Sequence, residues 1–262
     1  MSGPGGISVR GVRKSYVARG REVVAIDGVD LEIGAGEFVA FVGPSGCGKS
    51  TLMNMIAGIL APSAGEIRHD GVPVRGINRA VGYMTQQDAV LPWRTVAENV
   101  ALPLRFHGVS GTERAARVRI MLERVGLAGF ERAYPAELSG GMRKRVAIAQ
   151  LLAYEPGTLL MDEPFGALDA QLKLLMQEQL LGIWAERRQT VVFVTHDLAE
   201  AVTLAHRVIV FSGRPGRIKA IEPIGLPERR DVFRVRFLPA FETAYTRLWE
   251  ALAPEIRKGE AA

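Results

Sequence analysis

Apolar residues in this chain follow two periodicities that divide it into strands and helices. Val29, Leu31 and Ile33 alternate with Asp30 and Glu32, the period-two spacing of a strand with one buried face, and this predicts a piece of antiparallel sheet. Phe38 to Val42 is apolar at every position and stops at Gly43, which suits a central parallel strand covered on both faces. Runs of the same kind recur at Thr158 to Met161, Val191 to Val194 and Val208 to Phe211, joined by stretches of helical character. Strand and helix alternating in this way predict an α/β core built on a parallel sheet.

The middle of the chain breaks that rhythm. Ser110 and Glu113 have the spacing of a capping box, opening a helix whose apolar face is Val118, Met121, Leu122 and Val125 and whose end suits Gly126. A second helix is expected from about Ser139 to Leu152, so residues 88–153 read as a mainly helical insertion between two strands of one sheet. Near the end, Phe241, Tyr245, Leu248, Trp249 and Leu252 recur at helical intervals from Pro239 to about Ile256, which predicts a helix packed on the core. The first ten residues, rich in Gly and Ser, are expected to fray. No internal repeat is visible, and the stretch of about 50 residues after Phe211 predicts no large appended domain.

Composition narrows the class. At 262 residues and 48% hydrophobic, the chain buries a substantial core in one or two domains and is not disordered. Its single cysteine, Cys47, permits no internal disulfide, and with no start resembling a signal peptide this predicts a cytoplasmic location. Apolar runs such as Thr190 to Thr195 fall far short of the roughly 18 to 20 residues a membrane-crossing helix needs. Of the net charge of +5, Gly213 to Arg236 carries +4. Acids and prolines interrupt that basic segment, which reads as a solvated face and gives no nucleic-acid partner.

Chemistry enters at Gly43-Pro44-Ser45-Gly46-Cys47-Gly48-Lys49-Ser50-Thr51, which matches GxxxxGK[ST] between an apolar strand and an amphipathic helix. Glycines let successive backbone amides converge on phosphate oxygens, and the helix N-terminus adds its positive dipole end. Lys49 then reaches the terminal phosphates, while the Ser50 hydroxyl is a Mg²⁺ ligand. Cys47 reads as a small filler in this loop rather than a nucleophile. At the end of a buried strand, Asp162 and Glu163 supply two carboxylates with separate roles: Asp162 toward the metal's water shell, Glu163 toward the attacking water as general base. A P-loop alone would equally suit a kinase, a GTPase or a helicase.

Leu138-Ser139-Gly140-Gly141-Met142, followed by Arg143-Lys144-Arg145-Val146-Ala147, resembles the signature sequence of ABC-transporter ATPases, in order between the P-loop and the Asp162-Glu163 strand. Tyr16 resembles the aromatic that stacks on adenine, Gln86 the Q-loop glutamine, Ala167-Leu168-Asp169 the D-loop and His196 the switch histidine. Taken singly, each of these has an ordinary structural explanation; their order as a set points to function. Leu91-Pro92-Trp93-Arg94-Thr95-Val96-Ala97-Glu98-Asn99-Val100 and Ser212-Gly213-Arg214-Pro215-Gly216-Arg217-Ile218 resemble the nitrate, sulfonate and taurine importer ATPases. Thr85 stands where an aromatic is commoner, which leaves Gln86 and Gln87 competing for the Q-loop role; the spacing to Trp93 favours Gln86. Met142 stands where glutamine is frequent across the superfamily, as is usual in importers of this kind.

The resemblance implies an α/β fold: a P-loop NTPase (RecA-like) core with an N-terminal antiparallel β subdomain and an inserted α-helical subdomain. The core would take residues 7–87 and 154–211, the helical signature subdomain 88–153 and a C-terminal tail 212–262. It implies ATP and Mg²⁺, with Ser50, Gln86 and Asp162 at the metal, and Glu163, His196 and Gln86 in catalysis. Two copies would pair head to tail, so that Ser139, Gly140, Gly141 and Met142 of one, with Asp169 at the interface, close over ATP on the other's P-loop. A separate membrane permease would receive the motion through the helical subdomain and Gln86, with Leu91, Pro92 and Trp93 nearby, or those three are ordinary subdomain packing. An extracytoplasmic solute-binding protein would deliver a small anion, and the chain would sit on the cytoplasmic face of the inner membrane. A soluble non-transport ATPase and an exporter subunit keep the same site; the absence of a second nucleotide domain or coiled-coil insertion, and the LPWRTV run, speak against them.

Overall fold

A computed structural model describes residues 5–18, 20–87 and 89–260. The chain begins with two long antiparallel strands, β1 (Ile7–Ala18) and β2 (Arg21–Ile33), followed by β3 (Phe38–Val42), helix α1 (Lys49–Ile56), β4 (Ala64–His69), β5 (Val72–Pro73) and β6 (Val81–Met84). Three helices come next: α2 (Val96–Phe106), α3 (Gly111–Arg124) and α4 (Gly140–Ala153). The strand-helix alternation then resumes through β7 (Thr158–Asp162), α5 (Ala170–Arg187), β8 (Thr190–Val194), α6 (Leu198–Leu204) and β9 (Arg207–Phe211), and ends with β10 (Ile218–Pro223) and α7 (Pro239–Glu260).

Two sheets result. One is antiparallel, in the order β2-β1-β4-β5, with Ile7 opposite Ile33 and Val9 opposite Leu31 as the alternation of β2 requires. The other has the order β10-β9-β3-β8-β7-β6, with β9, β3, β8, β7 and β6 parallel and β10 antiparallel at one edge. Because β3 is covered on both faces, its alternate residues enter different cores. Phe38, Ala40 and Val42 join α4, α5 and α6, while Val39 and Phe41 face α1 and the antiparallel sheet. Phe193 is fully buried against Phe38 and Phe165, with ring centroids 6.0 and 5.6 Å apart.

The predicted apolar face of α3 is buried, and Gly126 follows it at φ +66°. Only half of the capping box predicted there forms. Ser110 accepts from the Glu113 amide at 3.3 Å, but the Glu113 carboxylate pairs with Arg117 one turn on instead of reaching back. The complete box lies at α2, a helix the periodicity did not single out: Thr95 and Glu98 exchange bonds of 2.9 and 3.3 Å. Buried Asn99 fixes the preceding turn, accepting from the Leu91 amide and donating to the carbonyls of Leu91, Arg94 and Thr95. Trp93 on that turn stands 71% exposed.

Three other expectations change. Ile7–Arg10 form regular strand instead of fraying, because Ile7 and Val9 are buried between the sheets. On α7, Phe241, Leu248 and Leu252 are buried with Ala244, whereas Tyr245 and Trp249 turn outward. The basic segment is not uniformly solvated: Arg230 is drawn inward to donate to the carbonyls of Val202, Thr203 and Ala205 at 2.9 to 3.1 Å, closing the C-terminal end of α6. Burial pushes its guanidinium down to about 10. Among the described residues no helix is long and apolar enough to cross a membrane.

Candidate functional site: a nucleotide cleft at the strand ends

The C-terminal ends of parallel strands are where an α/β sheet presents loops to a ligand. Here β3, β7, β8 and β6 end beside one another, at a cleft of about 250 Å³. The turn 43–48 leaves β3 and enters α1 at Lys49, whose first turn carries no acid, leaving the positive end of the helix uncompensated. Gly48 is obligatory at the entry: its φ is +103°, and a Cβ there would sit 2.6 Å from the Ile26 side chain and 3.0 Å from the Ala25 carbonyl.

Lys49 is 7% exposed, and its ammonium donates to the carbonyls of Gly43 (2.8 Å) and Pro44 (3.0 Å), with the Cys47 thiol at 3.6 Å. Behind it, Asp162 is 3% exposed and hydrogen-bonded to Ser50. Burial raises its carboxyl above the usual range; the Ser50 bond opposes this, the Glu163 charge adds to it, and Lys49 and Lys144 lower it.

Glu163, one residue beyond the end of β7, is held at φ +49°, a backbone conformation uncommon outside glycine. Its amide donates to the Val194 carbonyl at 2.9 Å, which locks the turn to β8 and aims the carboxylate into the cleft. There Glu163 accepts from Gln86 at 3.3 Å and lies 3.6 Å from His196. Three strand ends, β6, β7 and β8, thus converge on one carboxylate. Gln86 is also fixed from behind, its carbonyl accepting from the buried Lys144 of α4 at 2.9 Å. Below His196, Thr195 donates to the buried Glu200 at 2.6 Å, and Lys173 of α5 pairs with Glu200 at 2.9 Å.

Tyr16, Gly43, Ser45, Gly46, Gly48, Lys49, Ser50, Thr51, Gln86, Glu163 and His196 line the cleft, so residues up to 180 positions apart in sequence meet there. Tyr16 is 42% exposed at one wall, with the Lys14 ammonium 5.4 Å from its ring. Pro44, Cys47 and Asp162 are not among the lining residues, nor are Ser139, Gly140, Gly141, Met142 and Asp169. Ser139 caps α4 by accepting from the Met142 amide at 3.2 Å, and Asp169 caps α5 through the amides of Gln171 and Leu172. Ala25, Val194 and Arg214 line the cleft without having been singled out as site residues. In the sequence Arg214 stood within the 212–218 run and Lys144 within the run that follows the signature, neither with a site role of its own.

A phosphate-binding turn between a central strand and a helix, with a carboxylate at the end of β7, two strands away across β8, is the arrangement of a P-loop NTPase. Residues 26–166 match the ABC transporter family, and the chain belongs to that family as an ABC ATPase subunit. An uncharacterised ABC transporter ATP-binding protein of Methanocaldococcus jannaschii is 46% identical over 88% of this chain and 87% of its own length. A taurine import ATP-binding protein of Burkholderia pseudomallei is 43% identical over 93% and 95%. Among solved structures, an ATP-binding cassette described as a dimer in a post-hydrolysis state, bound to ADP and Pi, superposes with a TM-score of 0.77 at 34% identity, covering 83% of this chain and 98% of that one.

Proposed function

We propose that this chain is the ATP-hydrolysing subunit of an importer, energising uptake of a small anionic solute of the nitrate, sulfonate or taurine type through a separate membrane permease. The importer reading is carried by near full-length similarity to a taurine import ATP-binding protein. Residues 7–87 and 154–211 form the nucleotide-binding core, 88–153 the helical subdomain that meets the permease, and 212–262 the tail. The chain lies on the cytoplasmic face of the inner membrane, and an extracytoplasmic binding protein delivers the solute to the permease.

In this reading Tyr16 stacks on adenine and the 43–51 loop binds the phosphates, with Lys49 leaving its own loop carbonyls for the phosphate oxygens. The residues present also fit magnesium. Among the described residues no group of three or more His, Cys, Asp or Glu side chains could hold a metal, which disfavours a cage made by protein alone. Mg²⁺ needs less, keeping its waters and phosphate oxygens around one or two protein oxygens. The Ser50 hydroxyl and the Asp162 carboxylate already meet beside Lys49, with Gln86 across the cleft. Bound there, Mg²⁺ would neutralise charge on the phosphates.

Glu163 takes the proton from the attacking water, and His196 contacts the γ-phosphate. Signature residues Ser139, Gly140, Gly141 and Met142 stand away from this chain's own cleft and serve the cleft of a second copy, with Asp169 at the interface. The α4 N-terminus then brings amides and a positive dipole end to the γ-phosphate.

The test is to tag the chain in its own cell, solubilise the membranes gently and identify what co-purifies by mass spectrometry. A multi-span permease is the expected companion, and its binding protein can then be screened against anions. Recovery of soluble partners alone, with the chain missing from the membrane fraction, overturns the importer reading.

A further inference from the structure

The turn between β9 and β10, residues 212–217, is tied down on several sides. Gly216 donates to the Ala25 carbonyl at 2.9 Å and accepts from the Asp27 amide at 3.1 Å, forming a lone bridge beside β2. It also lies so close to the phosphate loop that a Cβ would stand 1.9 Å from the Cys47 carbonyl. Within the turn, Ser212 Oγ accepts from the Arg217 amide at 3.0 Å, while the Gly213 amide donates to Glu255 of α7 at 3.0 Å. Arg217 pairs with Asp27, and Lys219 with Glu255. Arg214 differs from these cations: among the described residues no carboxylate lies within ion-pair distance of it, and it faces the nucleotide cleft.

Sheet order says which end of the cleft it faces. Glu163, His196 and Gln86 follow β7, β8 and β6, all on one side of β3. Arg214 follows β9, on the other side of β3, two residues before Gly216, which bonds Ala25; Ala25 and Tyr16 line the same cleft. An exposed guanidinium carried on this tied turn, with no carboxylate within ion-pair distance, presents donors suited to phosphate oxygens. We infer that Arg214 is a nucleotide-binding residue that contacts the α-phosphate end of the nucleotide, opposite the hydrolytic groups. This rests on the reading of the cleft as the ATP site. Arg214 holds the part common to ATP and ADP, and so it sets affinity and leaves the chemical step to Glu163.

The experiment is calorimetric titration of the full chain with magnesium-ADP and with a magnesium-bound non-hydrolysable ATP analogue, using wild type, Arg214→Ala, Arg214→Glu and, as reference, Lys49→Ala. Arg214→Ala is expected to weaken both ligands by a similar factor, roughly fivefold to tenfold for a partly exposed charge-assisted contact. Arg214→Glu should weaken them further through repulsion of the phosphate. In turnover assays the KM for ATP should rise while kcat stays within about twofold. Wild-type affinity in both Arg214 variants, while Lys49→Ala loses binding, overturns this inference and leaves the ATP site intact. A loss confined to the ATP analogue, or equal binding by the Ala and Glu variants, overturns the α-phosphate placement. Failure of the wild type to bind either ligand would instead remove the ATP-site reading itself.

Discussion

Gln86 and Glu163 lie 77 positions apart in the chain and meet through a 3.3 Å hydrogen bond from the Gln86 amide to the Glu163 carboxylate. That bond joins the end of β6 to the end of β7. Because the Gln86 carbonyl also accepts from Lys144 of α4, displacement of the helical region bears directly on the residue beside the carboxylate. In the proposed importer, a push on the helices would reach Glu163 through these two hydrogen bonds.

Replacing Glu163 by glutamine keeps the shape and the contact geometry but removes the base. Single-turnover and steady-state assays should show hydrolysis reduced by about a hundredfold or more, with ATP affinity within about twofold of wild type. Wild-type turnover would rule out Glu163 as the base.

Lys49→Ala removes the one ammonium buried in the phosphate loop. Nucleotide affinity should fall by about tenfold or more, since a charge-assisted contact to phosphate is lost. Equilibrium binding measured by calorimetry decides it; unchanged affinity would contradict the placement of the phosphates on this loop.

Head-to-tail pairing makes an unusual mixing prediction. Ser139→Arg spoils the signature of one chain and Glu163→Gln the base of the other, so each variant alone should be nearly inactive. In an equal mixture about half of random pairs are mixed, each with one intact composite site, and activity should recover to about a quarter of wild type. A mixture no more active than its components would argue against sites shared between copies.

His206 connects stability to pH. Its Nδ1 accepts from the Phe38 amide at 2.9 Å and its ring lies 4.8 Å from Trp184, so folding favours the neutral imidazole. Burial depresses its pKa below 6.5; Arg230 and Arg188 act in the same direction, and Glu37 and Glu228 oppose them. Burial also lowers His69. With the folded pKa below the unfolded one, the unfolded chain binds protons first, so stability is full above about pH 6.5 and declines as pH falls through that value. Thermal melts from about pH 7.5 to 5.5 should show this slope, and His206→Leu, although less stable at neutral pH, should flatten it. An unchanged slope in that variant would assign it to other groups.

Much of the fold was legible because its signals are local. The fully apolar runs at Phe38–Val42 and Val191–Val194 proved to be central parallel strands, since a strand covered on both faces has no room for polar positions. Helix α2 escaped notice because its identity lies in the Thr95–Glu98 cap and the Asn99 bonds more than in a long apolar stripe. Tyr245 and Trp249 misled in the opposite sense, having the spacing of a core face without being covered. In the cleft, the 43–51 loop could be recognised because its chemistry is contiguous. The sequence placed Arg214 only in the 212–218 run and the basic segment; that it opens into the cleft is decided in space.

By itself the sequence determined the alternation of strands and helices, the phosphate-binding turn and the pair of acids at the end of β7, all of which depend on neighbours within a few residues. Tertiary structure alone decided that Gln86, Glu163 and His196 share one carboxylate-centred contact, that Ser139 and Asp169 lie off this chain's own cleft, and that Arg214 opens into it. The reason is the crossover order of the sheet. Strands β6, β7, β8, β3 and β9 become neighbours in an order unlike their order in the chain, so the side chains at their ends meet only once the sheet is assembled.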